Sequence, residues 1–287
     1  MRIAAGIAVG TALADAATRL SAAGISDARR EARLLVAEAL GWDAARVLGF
    51  PESAMSAAAG RRLDELIARR SAREPVSRIL GYREFWSLRF EISADTLDPR
   101  PDSETLIESV LAALDDRERA YRVLDFGTGS GCLLLALLSE LPNATGTGVD
   151  LAEGALEVAR RNAAVLGLGS RARFVRGSWG DSLSSHWDVI LANPPYIPSP
   201  ALPTLMPEVV LYEPELALDG GMDGLEAYRA LAPVMARLLA PTGIAALEVG
   251  AGQAPVVAAI MAGAGLALRA VRHDLNGVDR CLLLGQD

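Results

Sequence analysis

The stretch YRVLDFGTGSGCLLLALL, Tyr121 to Leu138, decides the fold. Its first part is a short apolar run suited to a strand buried on both faces, and its last part carries the leucines of a buried helix. Between them, Gly127, Gly129 and Gly131 let the backbone turn tightly and let a ligand approach without meeting a Cβ. Strand, glycine turn and helix in that order open an α/β sheet covered on both faces. A dinucleotide fingerprint would be GxGxxG, but its third glycine position holds Cys132. The spacing favours a mononucleoside ligand without a pyrophosphate.

Outward from this stretch, strands and helices keep alternating: ATGTGVD, a helix from Glu153, RARFV, WDVILA, a helix near Glu226 to Leu239, then IAALEV. The end differs. LALRAVRHDL and VDRCLLLG flank Asn276-Gly277, which suits a two-residue hairpin turn, so the last two strands are expected to be antiparallel. Toward the N-terminus the period falls to two, with Leu88, Phe90 and Ile92 alternating with Ser87, Arg89 and Glu91 as in a half-buried strand. TLDPRPDSETLIESVLAAL follows, a proline-punctuated loop with Asp102 and Glu104 in the first turn of a helix, where they favour its dipole. From Thr11 to about Ala72, apolar residues recur at three- and four-residue spacing as in a small helical bundle, with no catalytic constellation. The expected organisation is a helical domain over residues 1–80, a β-hairpin linker over 81–100 and an α/β domain over 101–287.

Composition narrows the chemistry. The chain has 287 residues, 51% hydrophobic and 22% charged, and no apolar run near the ~20 residues that span a bilayer. The opening MRIAAGIAVGTALADA has one Arg before a weakly apolar run, yet Gly and Ala dilute it and it merges into a helical pattern, so it is not taken as a signal peptide. Cys132 and Cys281 make no disulfide framework, and two reduced thiols in the cytoplasm are expected. A net charge of −8 argues against a broad grip on a nucleic-acid backbone. All 28 basic residues are arginines, which excludes a Schiff-base lysine, a phosphate-loop lysine and a lysine general base. His186 and His273 are the only histidines and there is no CxxC, so no metal site is expected.

Asp150 ends the strand that follows the glycine loop, a place where a carboxylate can accept both hydroxyls of a ribose. The DxGxGxG loop with that acid resembles the S-adenosylmethionine site of Rossmann-like methyltransferases, whose sheet also ends in an antiparallel hairpin.

LANPPYIPS, Leu191 to Ser199, supplies the second half of a site. Asn193 falls just past the carboxyl end of WDVILA, the edge at which open α/β sheets bind ligands. Pro194 has its φ fixed, and Pro195 after it pushes its ψ toward extended values, so the loop is stiff. Neither proline has an N–H, which leaves the Pro194 carbonyl a pre-aimed acceptor. An NH2 on an sp² carbon is a poor nucleophile because its lone pair is delocalised. If the Asn193 oxygen accepts one hydrogen and the Pro194 carbonyl the other, the nitrogen is locked with its face toward a methyl donor, and Tyr196 can pack on the planar group. Position then replaces strong base catalysis, and oriented dipoles stabilise charge growing on nitrogen.

REFWSLRFEIS, DPRPDSE, DFGTGSG, LANPPYIP, YEPELALDGGMDGL and DLNGVDR together resemble the release-factor glutamine methyltransferases, which modify the glutamine of the GGQ loop in bacterial peptide-chain release factors. The resemblance runs from about Arg73 to the C-terminus; the preceding helices are similar to that family's N-terminal bundle in position and length. It implies a Rossmann-like seven-stranded methyltransferase sheet behind a helical substrate-docking domain, and S-adenosylmethionine as cofactor. It assigns Gly127, Thr128, Gly129, Ser130, Gly131 and Asp150 to the cofactor and Trp179 to its adenine region, with Asn193 beside the cofactor as well. Asn193, Pro194, Pro195 and Tyr196 would hold the substrate glutamine, and Asn193, Pro194 and Tyr196 are the expected catalytic set. Members often have an acid before that aromatic residue; here Ser178 stands there, a neutral acceptor for an adenine amino group and so a weaker one. Arg100 and Glu104 fall in a stretch similar to the family's active-site loop, without individual roles. An adenine methyltransferase acting on DNA or RNA can use the same chemistry, but would need a basic face or a target-recognition domain. A silent cofactor-binding scaffold need not keep NPPY.

Overall fold

The computed structural model describes residues 3, 6–179, 183–184 and 186–286. They form two units: the chain up to Gly81 together with Pro207–Tyr212, and Tyr82–Met206 together with Glu213 to the C-terminus.

The first unit is helical: α1 (Val9–Ala22), α2 (Ala28–Leu40), α3 (Ala44–Gly49), α4 (Ala57–Ser71) and α5 (Val76–Leu80). Each apolar stripe turns inward, so that Val9, Leu20, Leu35, Val36, Val47, Leu63, Leu66 and Ile67 share one core. Burying side chains of this size contributes roughly 1.5 to 3 kcal/mol each. Helix ends follow local chemistry: Asp43 accepts from the Arg46 N–H at 2.6 Å, Ser56 accepts from that of Ala59 at 3.1 Å, and Gly41 closes α2 in the left-handed region.

The second unit opens with the antiparallel pair β1 (Tyr82–Phe85) and β2 (Leu88–Glu91). Trp86 and Ser87 between them both have positive φ, the conformation of a two-residue hairpin turn whose twist matches its strands. After α6 (Glu104–Ala113) come β3 (Arg122–Phe126), α7 (Cys132–Glu140), β4 (Thr145–Asp150), α8 (Glu153–Val165), β5 (Ala172–Arg176) and β6 (Trp187–Ala192). The chain then leaves for the first unit, giving it α9 (Pro207–Tyr212), and returns through α10 (Glu226–Leu238), β7 (Leu239–Glu248), α11 (Ala254–Gly263), β8 (Leu266–His273) and β9 (Asp279–Gln286).

The seven strands lie in the order β5-β4-β3-β6-β7-β9-β8, parallel except for β9, which runs antiparallel to both neighbours. The continuous apolar strands sort by parity. Val123, Val189 and Leu191 pack with leucines of α6, α7 and α8 on one face, while Leu124, Ile190 and Ala192 pack with α10 and α11 on the other. The expected two-residue turn at Asn276-Gly277 is corrected to a five-residue loop, with His273 paired to Asp279. Asp274 is the reason: its Oδ1 accepts from the N–H groups of Asn276 and Val278, and its own N–H bonds the Val278 carbonyl, a side-chain turn that outcompetes the tighter one.

Within the first unit, α9 is fixed by charge. Glu208 pairs with Arg70 at 3.0 Å and Arg73 at 2.8 Å, and Arg70, nearly buried, also reaches Glu31. Among the described residues no helix is long and apolar enough to cross a membrane, and no group of His, Cys, Asp and Glu could hold a metal ion.

Candidate active site

The strand order creates the site. From β3 the chain steps outward to β4 and β5, and then returns to β6 on the other side of β3. The carboxyl ends of β3 and β6 therefore open at a point where the winding reverses, the place where such sheets bind ligands. Phe126 pairs with Ala192, so the residues after them, Gly127 and Asn193, stand side by side.

Gly127, Gly129 and Gly131 have φ of +65°, +55° and +80°, a run of left-handed residues that a β-carbon would strain. The loop is latched to β4. The Gly129 N–H donates to Asp150 Oδ2 at 2.8 Å, and Asp150 Oδ1 accepts from the Ala152 N–H at 2.9 Å. Each carboxylate oxygen keeps acceptor capacity for a ligand hydroxyl. Below the loop, the Thr128 hydroxyl donates to Asp125 Oδ2 at 2.6 Å. Asp125 is fully buried, and burial, aided by the nearby charge of Asp150, pushes its carboxyl up to about 7.

A cavity of about 560 Å³ lies at this edge. Gly127, Gly129, Asp150, Trp179, Asn193 and Pro195 line it, with Leu97, Val149 and Leu151 as apolar wall and Asp95, Asp219 and Glu226 as further acids. Trp179 stands edge-on to Phe126, with ring centroids 6.5 Å apart, and holds a φ of +44° to do so. The Ser199 hydroxyl, with the Gly221 N–H, keeps the Asp219 carboxyl below its usual range. Among the described residues, four carboxylates and no basic side chain in that lining fit a nucleoside ligand bearing a sulfonium and an ammonium group.

Thr128, Ser130, Gly131, Pro194 and Tyr196 are not part of the lining. Thr128 turns inward to Asp125, Ser130 is buried, and Gly131 caps α7 against Ala159, Leu135 and Phe174. In this loop the side chains of Thr128 and Ser130 are thus turned away from the cavity, which the backbone at Gly127 and Gly129 borders. Tyr196 has its hydroxyl 3.4 Å from Glu248 Oε1. Ser178 has no place in the lining, whereas Gly177 and Trp179 on either side do.

The NPPY segment is held by residues the sequence did not single out. Asn193 Nδ2 donates to Ser103 Oγ at 3.2 Å, and the Ser103 hydroxyl donates to Glu248 Oε2 at 2.6 Å. Glu248 ends β7 fully buried; burial, opposed by the Ser103 hydrogen bond and the Arg280 charge, pushes its carboxyl up to about 7. Gln253 Nε2 donates to the Tyr196 carbonyl at 3.0 Å. Gly224, at φ +74°, packs so closely that a β-carbon would stand 2.5 Å from that carbonyl. Among the described residues no protein donor bonds the Pro194 carbonyl. Burial, with Glu248 close by, pushes the Tyr196 phenol up to about 12, so it stays neutral.

Arg100 and Glu104 brace other elements. Arg100 pairs with Glu213 at 2.8 Å, and Glu104 accepts from the Trp86 N–H at the β1–β2 turn at 2.7 Å. One signal for the missed acid was available: Glu248 interrupts the apolar run IAALEV at the strand end that faces the site.

A parallel sheet closed by an antiparallel β9, with an acid-latched glycine loop beside a stiff Asn-Pro-Pro-Tyr segment, defines a Rossmann-like methyltransferase. The comparisons agree: a family model described as a methyltransferase small domain matches residues 92–206, and one described as the PrmC N-terminal domain matches residues 11–81. The chain is 48% identical to the release factor glutamine methyltransferase of Rhodospirillum rubrum over 96% of its own length and 85% of that protein. It is 46% identical to that of Cereibacter sphaeroides over 94% and 95%. The chain belongs to the release factor glutamine methyltransferase family. A solved methyltransferase from Pyrococcus furiosus shares the fold, with a TM-score of 0.52 and 21% identity over 69% of this chain and 88% of that one.

Proposed function

We propose that this enzyme transfers a methyl group from S-adenosylmethionine to the side-chain amide nitrogen of the glutamine in the GGQ loop of bacterial release factors, in the cytoplasm. The observation that carries the reading is the bonding of Asn193. With Nδ2 committed to Ser103, its Oδ1 is left to accept one hydrogen of a substrate amide, and the Pro194 carbonyl is left to accept the other.

Asp150 would hold the ribose, Trp179 and the apolar wall the adenine, and the acidic lining the positive charges. The cofactor, when bound, supplies an electrophilic methyl on a sulfonium. Asn193 and the Pro194 carbonyl fix the amide nitrogen so that its face, not its edge, meets that methyl. As the C–N bond forms and the methyl–sulfur bond breaks, positive charge grows on the nitrogen, and the two fixed oxygens stabilise it without having to reorganise; S-adenosylhomocysteine is left behind and one amide proton passes to solvent. Gln253 and Gly224 keep the segment from yielding. The helical unit would dock the protein substrate, which needs contacts beyond one side chain.

The test is methyl transfer by the purified protein to intact release factor, to DNA and to ribosomal RNA, with the modified residue located by mass spectrometry. Transfer to the GGQ glutamine alone is expected; transfer to adenine instead would overturn the reading.

A further inference from the structure

We infer that Ser103 and Glu248 form a hydrogen-bond relay that sets which way round the Asn193 carboxamide faces, making both positioning residues for methyl transfer. The inference rests on the function proposed above. A carboxamide can turn over, exchanging its oxygen and its NH2 at little steric cost, yet only one face of that choice works here. With Oδ1 toward the substrate, acceptor meets donor; with Nδ2 there, two NH2 groups oppose each other.

The relay removes the choice. An ionised Glu248 can only accept, so the Ser103 proton must lie on the 2.6 Å line to Oε2. Ser103 Oγ then has only lone pairs for its other neighbour, and Asn193 must answer with Nδ2, as it does at 3.2 Å. Polarity passes from the buried carboxylate through one hydroxyl to the amide. If Glu248 gains a proton, it can donate to Ser103 Oγ. The Ser103 hydrogen is then released toward Asn193, which is drawn to turn Oδ1 inward and the NH2 outward.

Several groups face Glu248 within this cluster. Ser103 and Asp102 face it from the segment before α6, Tyr196 from the loop after β6, and Arg280 and Cys281 from β9. Cys132 on α7 and Tyr228 on α10 also lie near it. Burial pushes both thiols and the Tyr196 phenol up to about 12, and Arg280 keeps its charge, paired with Asp274 and Asp102. Glu248 stands at about 7, so the relay is set above neutral pH and lost as pH falls through that value.

The experiment is single-turnover transfer to release factor from pH 5.5 to 9, with S-adenosylmethionine affinity measured on each variant as a check of the fold. Wild-type protein is expected to lose rate below about pH 7. Glu248→Gln keeps the shape but removes the charge that fixes the Ser103 proton, since its amide can present either an acceptor or a donor to Ser103: its rate should be at least about tenfold lower at pH 8.5, and its acid limb absent. Ser103→Ala frees the amide without inverting it, with an expected loss of about tenfold, and Ser103→Thr should restore the rate to within threefold. Cofactor affinity should stay within threefold throughout. Wild-type transfer, run alongside, tests the substrate assignment; the ratio of variant to wild type tests the relay. Undiminished transfer by Ser103→Ala, or a Glu248→Gln enzyme with the wild-type rate and acid limb, would overturn it. If Glu248→Gln does not fold, the Ser103 pair decides: equal losses in Ala and Thr would mean packing and not polarity.

Discussion

At Asn193 a carboxamide borders the cavity with its nitrogen already bonded, so truncation removes one acceptor toward the cavity together with the bond to Ser103. Asn193→Ala is expected to lower kcat for release factor by about 10² to 10³, or about 3 to 4 kcal/mol, as when one transition-state hydrogen-bond partner is lost. S-adenosylmethionine affinity should change far less, because the glycine loop and Asp150 are untouched. Calorimetric titration beside single-turnover kinetics separates the two quantities, and equal losses in both would remove Asn193 from its orienting role. Asp150 behaves differently, since its carboxylate also holds the protein's own backbone at Gly129 and Ala152. Asp150→Ala should weaken cofactor binding by about 2 to 4 kcal/mol, and should also free the N–H groups of Gly129 and Ala152, a further cost of about 1 kcal/mol in stability. Thermal melting without ligand reads the second effect; an unshifted melt would mean that the latch is carried by the backbone alone.

Among the elements, α9 carries an ion cluster whose removal has a predictable sign. Burial works against the Glu208 charge, but its own backbone N–H and the guanidiniums of Arg70 and Arg73 hold its carboxyl below the usual range. Glu208→Ala leaves the nearly buried Arg70 with Glu31 alone, and is expected to cost about 2 to 4 kcal/mol in the helical unit. Denaturant unfolding followed by a probe confined to that unit checks it; an unchanged midpoint would show that the cluster adds nothing. Much of the architecture was legible in such elements. The sheet could be read because RVLDF and WDVILA are apolar runs too short to be helices, and the glycine loop because glycine adopts the left-handed backbone at positions 127, 129 and 131 without a Cβ penalty. What escaped were partnerships between distant residues. Ser103 and Glu248 are 145 positions apart and the Arg70–Glu208 pair 138, separations at which no periodicity reports proximity. The five-residue loop at Asp274 escaped for a local reason: Asn-Gly signals a tight turn, and an aspartate two residues upstream offers the backbone a better one.

For the molecule as a whole, the division into two units suggests a division of binding labour. The cavity can grip one side chain, whereas discrimination of one glutamine in one class of protein requires contacts elsewhere, and binding energy gained there can be used to hold the amide in place. On the helical unit, Leu48 and Phe50 at the end of α3 are 55% and 53% exposed, two large apolar side chains offered to solvent by neighbouring positions. The double change Leu48→Ser with Phe50→Ser removes apolar surface without disturbing the core around Val47. If these side chains dock the factor, KM for intact release factor should rise about tenfold at unchanged kcat, a loss of uniform binding. Transfer to a short peptide carrying the GGQ sequence should be unaffected, because such a peptide reaches only the cavity. Parallel loss with both substrates would point to damage of the fold, and an unchanged KM for the intact factor would move the docking surface away from α3.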